Sequence, residues 1–137
     1  MAKTNNAKTV STSEKKRKQK KFNIQKAQAH IHASFNNTII TITNEKGEAI
    51  TWSSGGALGY KGSKKSTPFV AQQAAASCAK ILKDYGVQEI SIFVKGLGPG
   101  REAAIRGIQG TGLAVLSIKD VTSAPHNGCR APRAPRK

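Results

Sequence analysis

The stretch from Lys95 to Arg106, K-G-L-G-P-G-R-E-A-A-I-R, sets three glycines in five positions between two basic residues, a pattern suited to holding a phosphate. Gly96, Gly98 and Gly100 are able to take positive φ and to let another backbone come close, while Pro99 stiffens the loop. Lys95 and Arg101 flank it. A helix opening at Arg101 would turn its unpaired N–H groups and positive dipole end toward the same point. A ligand can therefore come up to the main chain, and the phosphate belongs either to a small cofactor or to a polynucleotide.

The enzymatic readings fail on spacing. Asp120 follows Gly100 by 20 residues, as the ribose-binding acid of a dinucleotide site would, but the loop reads G-x-G-x-G and Pro99 removes a donor N–H. A two-metal nuclease needs clustered carboxylates on central strands; the first strand has none, Asp84 sits at a helix end and Glu89 opens a strand. The Gly/Ser/Lys segment from Ser54 to Ser66 has the composition of a Walker A loop without its G-x-x-x-x-G-K-[ST] spacing, and is read as a basic phosphate-gripping loop. His30 and His32 share a strand face and His126 stands H-x-x-C before Cys129, but four ligands with matched spacing are not evident. No catalytic residue, metal ligand or cofactor is expected.

Charge points to the polynucleotide. Net charge is +16; residues 1–21 carry +7 and residues 123–137 carry +4, leaving +5 on the central 101. A self-repelling chain of this kind needs a polyanion, and with 5% aromatic content phosphate contact should outweigh base stacking. The N-terminus has no apolar signal-peptide core and no run nears the roughly 20 apolar residues of a membrane span, so the expected location is cytoplasmic, with no membrane partner and no small-molecule substrate. Cys78 and Cys129 do not form a disulfide framework.

The elements that must position these residues follow from periodicity. Residues 1–26 read as a disordered basic arm, 27–122 as an α/β domain and 123–137 as a basic Pro/Arg tail. Ala29, Ile31, Ala33 and Phe35 alternate with His30, His32 and Ser34, predicting a first strand with one core face. Asn36-Asn37 makes a tight turn by tolerating the left-handed region, into a β-branched strand from Thr38 to Thr43; a third strand runs from Glu48 to Ser53. Thr67 and Pro68 cap a helix reaching Tyr85, with Val70, Ala74, Cys78, Ile81 and Tyr85 on its buried stripe and Gly86 closing it. A strand from Glu89 to Val94, a helix from Arg101 to Gly110 and a strand from Leu113 to Lys119 complete a βββαβαβ order. Right-handed crossovers then predict a mixed five-stranded sheet, order 3-2-1-4-5, with flanking helices in a ribonuclease-H-like layer fold.

In the tail, Arg130, Arg133 and Arg136 recur every third residue between prolines, the period of a polyproline II helix, which would line them on one edge. A solvated basic tail is the alternative. Asn127-Gly128 is open to succinimide formation, because glycine does not shield the carboxamide, making Asn127 a candidate modification site.

Four motifs, A-H-I-H-A-S-F-N-N-T-I (29–39), G-S-K-K-S-T-P-F (62–69), K-G-L-G-P-G-R-E (95–102) and D-V-T-S-A-P-H-N-G-C-R (120–130), resemble the bacterial small-subunit ribosomal protein S11 family. The likeness covers about residues 27–130; Leu97 departs from the family's usual proline, and the R-A-P-R-A-P-R-K end differs from its commoner terminus. It implies no catalysis. It implies a binder of 16S ribosomal RNA in the platform, near the E site and the mRNA path, beside ribosomal proteins S-seven and S-eighteen. It assigns Asn36, Asn37, Lys64, Lys65, Arg101, Arg106, His126, Asn127 and Arg130 as RNA contacts. The charge and loop reading adds Lys15, Lys16, Arg17, Lys18, Lys20 and Lys21 of the arm, Lys61, Lys95, Gly98 and Gly100 of the loops, and Arg133 and Arg136 of the tail. A generic basic nucleoid or DNA-binding protein is the alternative, though no helix-turn-helix is recognisable.

Overall fold

The computed structural model describes residues 24–136. Strand β1 (Lys26–Ala33) lies at the centre of a five-stranded sheet, between β2 (Thr38–Asn44) and β4 (Glu89–Lys95); β3 (Ala49–Ser54) and β5 (Ala114–Asp120) form the edges, giving the expected order 3-2-1-4-5. β1, β2 and β3 form an antiparallel meander, and β4 and β5 run parallel to β1. Helix α1 (Pro68–Asp84) makes the crossover to β4, and α2 (Arg101–Gln109) the crossover to β5.

Period-two patterning gives the sheet one dry face. Ala27, Ala29, Ile31 and Ala33 of β1 are buried, and Ile31 lies in register with Ile40 on one side and Val94 on the other. Burying side chains of this size contributes roughly 1.5–3 kcal/mol each. Both helices cover this same face and pack against each other, and among the described residues nothing covers the other face. Alanines make the close packing possible: Ala71, Ala75 and Ala79 are buried along α1 beside Val70, Ala74, Cys78 and Leu82.

Two core assignments need correction. Phe35 is 76% exposed, because β1 stops at Ala33: the Ser34 N–H and hydroxyl both donate to Asn37 O, at 2.9 and 2.8 Å, closing a turn that ends the alternation. On α1 the fourth position of the buried stripe is Leu82, and Ile81 is exposed; stepping four residues from Val70 through Ala74 and Cys78 leads to Leu82. Tyr85 is half-buried at the core margin. Gly86 does close α1, at φ +78°, with Val87 N–H bonded back to Leu82 O at 3.1 Å.

Candidate nucleic-acid interface

Parallel β1, β4 and β5 put their C-terminal ends, and therefore the N-termini of both helices, at one end of the sheet. Three loops meet there around residues 33–38. The glycine loop packs on one side: Gly98 N–H donates to Ala33 O at 3.0 Å, a Cβ on Gly98 would strike Ser34 O, and one on Gly100 would strike Thr38 Oγ1. The basic loop packs on the other, where a Cβ on Gly55 would lie 2.7 Å from Lys65 O and 3.0 Å from Asn37 Oδ1. The close approach that these glycines permit is thus made by the protein's own chain. Only Gly96 of the three in the glycine loop uses positive φ, +95°.

Asn36 and Asn37 form their turn without left-handed backbone, which corrects the expected mechanism. Side chains hold it instead: Asn37 N–H donates to Ser34 Oγ at 3.1 Å and Thr38 N–H to Asn37 Oδ1 at 2.9 Å. Lys64 and Lys65 lie in a short 3-10 turn, Gly62–Ser66, just before α1, with Lys61 preceding it. Thr67 occupies the N-cap position, but its hydroxyl donates to Lys64 O at 2.7 Å instead of capping, and the first turn of α1 holds no acid. Lys95 is exposed at the end of β4.

Arg101 differs from the expected mobile, exposed charge. Its side chain is only 27% exposed, Nη1 donating to Gly96 O at 3.1 Å and Nη2 to Asp120 Oδ2 at 2.7 Å. Asp120 accepts further bonds at Oδ1 from the Thr122 hydroxyl at 2.6 Å and the Thr122 N–H at 3.0 Å. These bonds, the Thr122 hydroxyl first and the Arg101 guanidinium next, hold the carboxyl well below the usual carboxylate range. Asp120 and Thr122 were missed as working residues. An Asp-x-Thr sequence after a strand, which favours an Asx turn, was the available signal.

The structure brings Asn36, Asn37, Lys61, Lys64, Lys65, Lys95, Gly98, Gly100 and Arg101 to this end. Arg106 lies farther along α2, exposed and 3.7 Å from Glu102. His126, Asn127, Arg130, Arg133 and Arg136 are exposed on a tail without helix or strand that leaves β5 from the same end; Asn127 and Gly128 take φ +73° and +49°. Lys15, Lys16, Arg17, Lys18, Lys20 and Lys21 lie outside the described residues. The opposite end of the sheet holds Glu45, Glu48, Asp84 and Glu89 together with Lys26, Lys46 and Lys83, so it is close to neutral where the loop end is cationic.

The open face carries a cross-strand row, Trp52, Thr41, His30, Phe93 and Lys119. His30 stacks on Phe93 with centroids 5.3 Å apart and shares a hydrogen bond with Thr43 at 3.2 Å; Lys119 Nζ stands 6.0 Å from the Phe93 centroid. Phe93 is therefore engaged by its neighbours on both sides. Among the described residues no three His, Cys, Asp or Glu side chains gather to hold a metal ion, and no helix is long and apolar enough to cross a membrane. Residues 27–136 match the protein family described as Ribosomal protein S11.

Proposed function

The chain belongs to the ribosomal protein S11 family, structural constituents of the small ribosomal subunit, and from that premise we propose that the loop-bearing end of its sheet grips 16S ribosomal RNA in the platform. The observation that carries this reading is convergence. Three sequence-distant loops, each with basic or amide side chains, meet at one end, while at the other four carboxylates are nearly balanced by Lys26, Lys46 and Lys83. Lys61, Lys64, Lys65 and Lys95 meet phosphates there, the Asn36 carboxamide and the Nδ2 of Asn37 offer hydrogen bonds, and the N-terminal arm and C-terminal tail add sequence-independent affinity. Proximity to the E site, the mRNA path and proteins S-seven and S-eighteen belongs to the same proposal, as does a cytoplasmic location.

Two measurements test it. In a sucrose gradient of a cell lysate the chain should travel with the small subunit. In filter binding, the purified protein should prefer a 16S platform fragment over unrelated RNA and over duplex DNA. Equal affinity for all three, with no subunit association, would instead identify a generic nucleoid protein.

A further inference from the structure

A closed ring of four hydrogen bonds begins and ends on Gly96. Gly96 N–H donates to Thr122 Oγ1 at 3.1 Å, the Thr122 hydroxyl donates to Asp120 Oδ1, Arg101 donates to Asp120 Oδ2, and Arg101 donates to Gly96 O. Val121 N–H adds a bond to Val94 O at 2.8 Å. The ring joins the start of the glycine loop, the first residue of α2, the last residue of β5 and Thr122 just beyond it. Beyond Thr122 the tail is exposed at every described position. Among the described residues no hydrogen bond holds the chain after Thr122, so these are the last bonds that tie the tail to the sheet before the arginines.

We propose that Asp120 is a positioning residue for RNA binding, fixing the exit of the tail so that Arg130, Arg133 and Arg136 engage the RNA already held by the loops. The inference rests on the platform-RNA reading. Its physical basis is effective concentration: a second cationic segment strengthens binding only if its departure keeps it near the same RNA, and a released tail samples much of its volume away from it. The carboxylate is otherwise misplaced. At the cationic end of a protein with net charge +16 it repels phosphate, and Coulomb's law alone predicts that removing it improves binding.

The two accounts differ in sign, so the full-length Asp120→Asn variant separates them. If the latch positions the tail, Asp120→Asn weakens platform-RNA binding, by about five- to tenfold if tail and loops act as linked contacts. With Arg130, Arg133 and Arg136 all replaced by Ala, the same substitution should change affinity less than about twofold. Thr122→Val removes the bridging hydroxyl without altering charge and should reproduce the pattern. Tighter or unchanged binding by Asp120→Asn, or an equal loss with and without the tail arginines, overturns the proposal. Amide exchange in the free protein checks the latch apart from RNA: Gly96, Val121 and Thr122, whose N–H groups are bonded in the latch, should lose protection in both variants. If wild-type protein shows no preference for platform RNA, the functional reading fails; the latch is then judged by exchange alone, and unchanged Gly96 protection rejects it.

Discussion

Gly107 of α2 rests against Ala75 of α1 so closely that a Cβ at Gly107 would stand 2.7 Å from Ala75 Cβ and 2.9 Å from Gln72 O. Replacing a mid-helix glycine by alanine ordinarily gains about 1 kcal/mol in helix propensity. Here the obstruction includes backbone, which does not yield as a flexible side chain does, and overpacking costs about 1–3 kcal/mol or more. Gly107→Ala should thus destabilise the protein by about 1–2 kcal/mol net in urea denaturation. A stabilised variant would show that the helices separate freely.

Thr38 offers the opposite case. Its hydroxyl is buried with no hydrogen-bond partner among the described residues, crowded by the Gly100 backbone. A buried unpaired hydroxyl costs about 1–3 kcal/mol, and valine has the same shape without it. Thr38→Val should leave stability unchanged or raise it by about 1 kcal/mol, read from the denaturation midpoint. A loss above about 1 kcal/mol would mean that the hydroxyl has a partner.

Burial pushes the Cys78 thiol from an ordinary 9.0 up to about 11, while Cys129 is exposed. At pH 8 iodoacetamide should label Cys129 and spare Cys78, as peptide mass spectrometry would report. Between pH 9.0 and about 11 the unfolded chain ionises this thiol and the native one does not, so stability should fall across that window; Cys78→Ala should flatten the dependence.

Asp120 titrates in the opposite sense. A lowered native pKa contributes stability that is complete above the ordinary value of 3.8 and is lost only as pH falls through the lower native value. The carboxyl carbon of Asp120, followed by NMR, should still report an ionised group at pH 3.8. In Thr122→Val, which removes the leading cause, the inflection should move up. Half-protonation of the native protein at pH 3.8 would contradict the geometry.

Residues 1–21, outside the described part of the chain, hold eight basic side chains and one acid. Deleting them should weaken RNA binding and flatten its salt dependence by roughly 0.7–0.9 in slope for each phosphate no longer neutralised, while the preference for platform RNA survives. An unchanged slope would remove the arm from the interface.

Sheet order and strand direction were legible because β1 alternates cleanly and the crossover rule leaves few topologies open. What stayed hidden was set by contacts between distant segments. Phe35 continues the alternation of β1, and only the Ser34–Asn37 bonds show that the strand has ended. Arg101 read as a free cation because its partner stands 19 residues away, and Asp120 resembled a ribose ligand by spacing alone. Gly98 and Gly100 signalled close approach correctly, but sequence does not say whether the approaching backbone belongs to a ligand or to the protein.

The central place of β1 has a consequence for a chain still being synthesised. β2 and β3 can pair with it as soon as they are made, because the meander is local in sequence, but its other edge has no partner until residues 89–95 emerge. In that interval a half-finished sheet presents an unpaired edge beside Ala29 and Ile31, the kind of surface on which nascent chains aggregate. The preceding 21 residues carry +7, so chains caught at this stage repel one another. The cationic segment thus has work to do before any RNA is bound.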